Sequence, residues 1–134
     1  MLSDLKPRVL LAEDDHLAAM AMETFLSWSG CQVTVAHDGL EALAAAAEAA
    51  FDVLLTDLMM PRLDGRGLIQ SLKSEHPDLP VVVVTGDPTL IQPEELRAYG
   101  RMALLTKPVQ PPQLAEAIRS VLLDGRDSIP ANAS

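Results

Sequence analysis

"LLTDLMMPRLDG" (residues 54–65) is the stretch whose reading decides the fold. A short aliphatic run halts at a single aspartate, Asp57, and soon breaks into Met59, Met60 and Pro61. An acid is rarely buried without a partner, so one that closes an apolar strand calls for chemistry at that strand's end. Runs of the same length lie on either side: "RVLLA" (8–12), "QVTVA" (32–36), "VVVVT" (81–85) and "MALLT" (102–106), with "DVLLT" (52–56) as the one that leads to Asp57. Four of the five are continuously apolar, as expected of parallel strands covered on both faces, and only "QVTVA" alternates.

Helical patterns fill the gaps. Asp15 is placed to cap a helix through "LAAMAMETFLSW" that stops near Gly30, and Asp38 to cap "GLEALAAAAEAA", with Leu40, Leu43, Ala44 and Ala47 on one face. Gly65 to about Glu75 carries Leu68, Ile69 and Leu72 and ends at Pro77. Pro93 suits the first turn of a short helix reaching Tyr99 and stopped by Gly100. After Pro111 and Pro112, the residues Leu114, Ala117, Ile118, Val121 and Leu122 keep the spacing of one helical face. Five strand–helix units with right-handed crossovers make a doubly wound α/β fold.

The chain has 134 residues, enough for one domain with its own core, and a hydrophobic content of 49% excludes a disordered segment. One cysteine, Cys31, allows no internal disulfide and fits a reducing, cytoplasmic setting. No stretch has the length and apolarity of a membrane span, and the N-terminus lacks a signal-peptide pattern. A formal net charge of −9 argues against nucleic-acid binding as the main activity. Cys31, Met20, Met22 and Trp28 read as packing residues, and His16, His37 and His76 as surface residues without metal spacing.

In an open α/β sheet, ligands bind beyond the carboxyl ends of the strands. There the chain places Glu13, Asp14 and Asp15 after the first strand and Asp57 after the third. Thr85 and Gly86 follow the fourth, and Thr106, Lys107 and Pro108 the fifth. Crowded carboxylates repel unless a cation joins them, and all-oxygen ligands suit a hard ion such as Mg²⁺. A cation, the Lys107 ammonium and the Thr85 hydroxyl together form a cradle for a phosphoryl group, which leaves Asp57 as the nucleophile. Asp15 reads as a helix cap instead of a further ligand.

The motifs "LLAEDD", "LLTDLMMPRLDG", "VVVVTGD" and "LLTKP", taken together, resemble those of the receiver domain of two-component response regulators, the chemotaxis regulator among them. The resemblance runs from about Arg8 to Leu123. It implies a flavodoxin-like doubly wound (βα)5 fold whose five-stranded parallel sheet has the order 2-1-3-4-5. Residues 1–123 are then the receiver domain and 124–134 a polar C-terminal tail. It also implies that Asp57 is the phosphoacceptor and that Asp14 binds Mg²⁺ directly, with Glu13 acting through water. Met59 lends its backbone carbonyl to the metal. Thr85 moves to the phosphoryl group, Lys107 pairs with the phosphoryl oxygens, and Pro108 follows a cis peptide. Pro61, Asp64 and Gly65 form the loop after the phosphoacceptor, and Gly86 leaves room for the phosphoryl group.

The implied function is a phosphorylation-dependent signalling switch. A histidine kinase or phosphotransfer protein is the donor, and a downstream protein is reached through the face from the fourth strand to the fifth helix. The domain catalyses only its own phosphorylation and dephosphorylation, as a monomer or weak dimer. The start at Met1 favours a natural N-terminus, while the tail fits either a single-domain regulator or a receiver cut from a longer protein. Three features depart from the pattern, one of them Val109, where the family often has a phenylalanine. Leu104 stands where the family has an aromatic residue, and Pro88 and Pro93 shorten the fourth helix. These last two support the alternative of a receiver-like binding module that works without phosphorylation. A dehalogenase-like phosphohydrolase would need an acid where Met59 stands.

Overall fold

The computed structural model describes residues 2–123, so the tail expected at 124–134 lies outside the described residues. The elements alternate along the chain as β1 (Arg8–Ala12), α1 (His16–Trp28), β2 (Gln32–Ala36), α2 (Gly39–Glu48), β3 (Val53–Asp57), α3 (Gly65–Glu75), β4 (Val81–Thr85), a single 3₁₀ turn (Pro88–Leu90), α4 (Pro93–Tyr99), β5 (Met102–Thr106) and α5 (Pro111–Leu123). All pairings are parallel and the strand order is β2-β1-β3-β4-β5, the flavodoxin-like order expected. β3 runs one residue later than the apolar run 52–56, because Asp52 instead receives the Arg8 backbone N–H and guanidinium below the strand.

Strand alternation sorts the core into two layers. Val9, Leu11, Val53, Leu55, Val82 and Val84 pack under α1 and α5 with Ala19, Leu26, Leu114 and Ile118. Leu10, Leu54, Val81 and Val83 point to the other face, against Ala42, Leu68, Ile69, Leu72 and Tyr99. β3 and β4 are buried along their whole length, whereas the edge strand β2 is buried only at its last residue. That burial follows the alternation of "QVTVA": Val33 and Val35 are half-buried and Thr34 between them is exposed, while β5, the other edge strand, is half-buried along most of its length.

Three packing expectations need correction. In α2 the buried residues are Gly39 and Ala42, with Leu43, Ala45 and Ala46 partly buried, while Leu40, Ala44 and Ala47 are exposed. An alanine-rich helix has little contrast between its faces, and the helix is turned by Gly39, whose N–H donates to Leu63 O at 3.0 Å. Met20 and Trp28 are not core residues: they are 57% and 84% exposed, beside Leu17, on the outer side of α1. Only Ala19 and Leu26 of that helix are buried. Cys31 lies in the α1/α5 layer, where burial pushes its thiol up to about 11.

Candidate functional site

Register brings the strand-end residues together. Ala12 of β1 pairs with Thr56 of β3, so the next residues, Glu13 and Asp57, arrive side by side. Asp57 pairs with Val84 of β4, and Thr85 pairs with Thr106 of β5, so Lys107 follows at the same edge. Lys107 N–H donates to Thr85 O at 2.8 Å and holds that strand end in place. The peptide between Lys107 and Pro108 is cis, as the resemblance implied.

Glu13, Asp14 and Asp57 each present an oxygen within 4.8 Å of the others. Glu13 and Asp57 are buried and Asp14 is open to solvent. The Lys107 ammonium spans the two buried acids, donating to Asp57 Oδ2 at 2.9 Å and to Glu13 Oε1 at 3.0 Å. Burial pushes Glu13 above the ordinary carboxylate range, against the pull of the Asp15 N–H and of Lys107. Burial also opposes the charge on Lys107, but its bonds to Asp57 and Glu13 outweigh that cost and hold the amine above its usual value. One ammonium facing three acids leaves the cluster net negative. This oxygen-only set, partly desolvated and open on the Asp14 side, fits a hard divalent cation such as Mg²⁺.

The supporting loops follow from local chemistry. Asp15 caps α1, accepting from Leu17 N at 3.0 Å and Ala18 N at 3.2 Å, which removes it from the cluster as expected. Asp64 caps α3 through Gly67 N at 2.9 Å. Gly65 cannot carry a side chain, because a Cβ there would lie 2.0 Å from Asp57 O. Met59 N–H reaches Asp57 Oδ1 at 3.4 Å, and its own side chain is exposed. A Cβ on Gly86 would meet nothing within 4 Å, so the space above the site is open there. The buried Thr85 hydroxyl faces the following turn: it accepts from Asp87 N at 3.1 Å and donates to Asp87 O at 3.3 Å. Leu104 is half-buried in β5.

The fold also gathers residues that no spacing in the sequence had linked. His37 stacks on His16 with ring centroids 3.8 Å apart, and its Nδ1 lies 3.1 Å from Glu13 O at the rim of the site. Arg62 pairs with Asp38 at 2.7 Å, and Arg66 pairs with Glu95. Nothing in local sequence forecasts these pairs, because each joins different strand–helix units.

Comparisons with known proteins agree with this geometry. The family model described as the response regulator receiver domain matches residues 9–119. The chain is 35% identical over 115 residues to the response regulator MprA of Mycobacterium avium, covering 86% of this chain and 50% of that protein. It is 32% identical over 126 residues to the transcription factor SKN7 of Candida albicans, covering 92% of this chain and 22% of that protein. The chain thus spans half or less of the length of these curated relatives. Among solved structures, the chemotaxis response regulator CheY4 of Vibrio cholerae matches with a TM-score of 0.77 at 30% identity, over 87% of this chain and 98% of that one. The Francisella response regulator 1452 receiver domain matches with a TM-score of 0.75 at 32% identity, over 87% and 96%. Among the described residues no helix is long and apolar enough to cross a membrane. The chain belongs to the response regulator receiver domain family of two-component signalling.

Proposed function

We propose that this receiver is a switch set by phosphorylation of Asp57, with a histidine kinase or phosphotransfer protein as donor. The observation that carries the reading is the Lys107 bridge to Asp57 and Glu13 beside the exposed Asp14. An Asp57 carboxylate oxygen attacks the donor's phosphorus. The O–P bond forms as the donor's N–P bond breaks, and the electron pair stays on the donor nitrogen, which takes a proton from solvent. Lys107, already held against Asp57, turns its N–H groups to the phosphoryl oxygens. Thr85 leaves Asp87 and donates its hydroxyl to the same group. Asp14 and Asp57, with Glu13 acting through water and Met59 through its carbonyl, would hold Mg²⁺, which when bound neutralises charge on the phosphoryl oxygens. Water later cleaves the acyl phosphate and restores Asp57. The resulting shift biases the face formed by β4, α4, β5 and α5 toward a downstream protein.

The half-buried Leu104 favours one second reading, a binding module that ignores phosphate. Incubation with Mg²⁺ and acetyl phosphate, followed by intact mass, separates the two. The switch requires a Mg²⁺-dependent gain of one phosphoryl group that Asp57→Ala lacks. No gain, where a control receiver is labelled, would sink it and leave the constitutive module.

A further inference from the structure

A polar chain runs from the site to α4 without a break. Thr85 grips Asp87 through both bonds of its hydroxyl. Asp87 caps the 3₁₀ turn through Thr89 N at 3.0 Å and the Thr89 hydroxyl. The last carbonyl of that turn, Leu90 O, accepts from Arg66 Nη2. The same nitrogen donates to Glu95 Oε1 of α4 at 3.0 Å, while Arg66 Nε bonds Glu95 Oε2. Glu95 Oε2 also accepts from the hydroxyl of the buried Tyr99 at 2.7 Å. Arg66 has a second tie to the site. It follows Gly65, whose N–H donates to Leu58 O at 2.9 Å and whose Cα sits against Asp57 O.

Two constraints make this arrangement bistable. A threonine hydroxyl has one proton, so it cannot donate to Asp87 O and to a phosphoryl group on Asp57 together. Arg66 Nη2 has two N–H bonds, one to Leu90 O and one to Glu95 Oε1, so a shift of the turn acts on the same nitrogen that holds Glu95. Helix α4 has seven residues and no side-chain cap at Gln92, and a helix that short depends on its tertiary ties. Arg66 draws Glu95 down to about 2, and burial together with Glu95 pushes the Tyr99 phenol up to about 12.

We infer that Arg66 is a positioning residue that carries the state of the Thr85 hydroxyl to α4, the Arg66–Glu95–Tyr99 cluster acting as the latch in a domain whose residue 104 is leucine. The inference rests on the phosphorylation reading. When Thr85 turns to the phosphoryl group, the Asp87 turn loosens, Leu90 O withdraws, and the bidentate grip on Glu95 is reset. Lysine cannot replace that grip, since it lacks the planar fork.

Tyr99 is the sole tyrosine, so ring-labelled tyrosine gives one set of NMR signals for the latch in the full chain. Mg²⁺ and acetyl phosphate are added, and intact mass is recorded on the same sample. In the wild type, the phosphoryl gain and a shift of the Tyr99 ring signals are expected together. Arg66→Gln should show displaced ring signals at rest, gain the phosphoryl group, and show little further shift. Glu95→Gln, which removes the other half of the pair, should do the same, and it decides the matter if Arg66→Gln does not fold. A phosphoryl gain with unmoved ring signals in the wild type would overturn the latch and leave the switch standing. So would a full shift on phosphorylation in both variants. No phosphoryl gain in the wild type removes the switch and the latch with it.

Discussion

The Lys107 ammonium lies 2.9 Å from Asp57 Oδ2, across a separation of 50 residues, and shares its charge with Glu13 at 3.0 Å. It therefore neutralises part of the charge that would draw a divalent cation to the same acids. Lys107→Met should bind Mg²⁺ on the order of tenfold more tightly, since a nearby positive charge is removed. Without Mg²⁺ the variant should lose about 1–3 kcal/mol of stability, because two buried carboxylates lose their partner. Calorimetric Mg²⁺ titration and urea unfolding in EDTA test both halves. Unchanged affinity together with unchanged stability would mean that the bridge carries no energy.

Gly65 meets the Asp57 carbonyl at a distance no Cβ tolerates. Gly65→Ala gains helix propensity of up to about 1 kcal/mol. The clash is with backbone, which cannot swing aside, and overpacking of this kind costs roughly 1–3 kcal/mol or more. A net loss in urea unfolding is expected, with a slower phosphoryl gain as the Asp57 loop is displaced.

Glu95 supplies a pH dependence whose sign is set by its depressed folded value. Its ordinary carboxylate value is 4.5, and the Arg66 contact lowers it to about 2. The ionised form binds Arg66, so its stabilisation is complete above pH 4.5 and is lost as pH falls toward 2. Thermal unfolding of the wild type and of Glu95→Gln should converge through that window and stay parallel above it. Parallel curves down to pH 2 would contradict the pairing.

Trp28 and Leu26 are neighbours in α1 with opposite roles. Trp28→Ser, at an exposed site, should change stability by no more than about 0.5 kcal/mol. Leu26→Ala, in the buried α1/α5 layer, should cost about 2–5 kcal/mol. A large loss for Trp28→Ser in urea unfolding would show that it packs after all.

What the sequence by itself determined is whatever local pattern and strand geometry control. Continuous apolar runs mark the buried parallel strands, and Asp15 and Asp38 mark helix starts by capping. In a parallel sheet, residues that end strands must share one edge, so Glu13, Asp14, Asp57, Thr85 and Lys107 were legible as a set before any coordinates. Only the tertiary structure decided which helix faces turn inward and which charges find each other. α1 turns Ala19 and Leu26 inward and leaves Trp28 outside, and α2 begins at Gly39, where a Cβ would clash with Leu63 O. The pairings of Arg66 with Glu95 and of His16 with His37 join separate strand–helix units. Such pairings depend on how whole elements are placed, and hydrophobic periodicity, which reads one element at a time, holds no record of them.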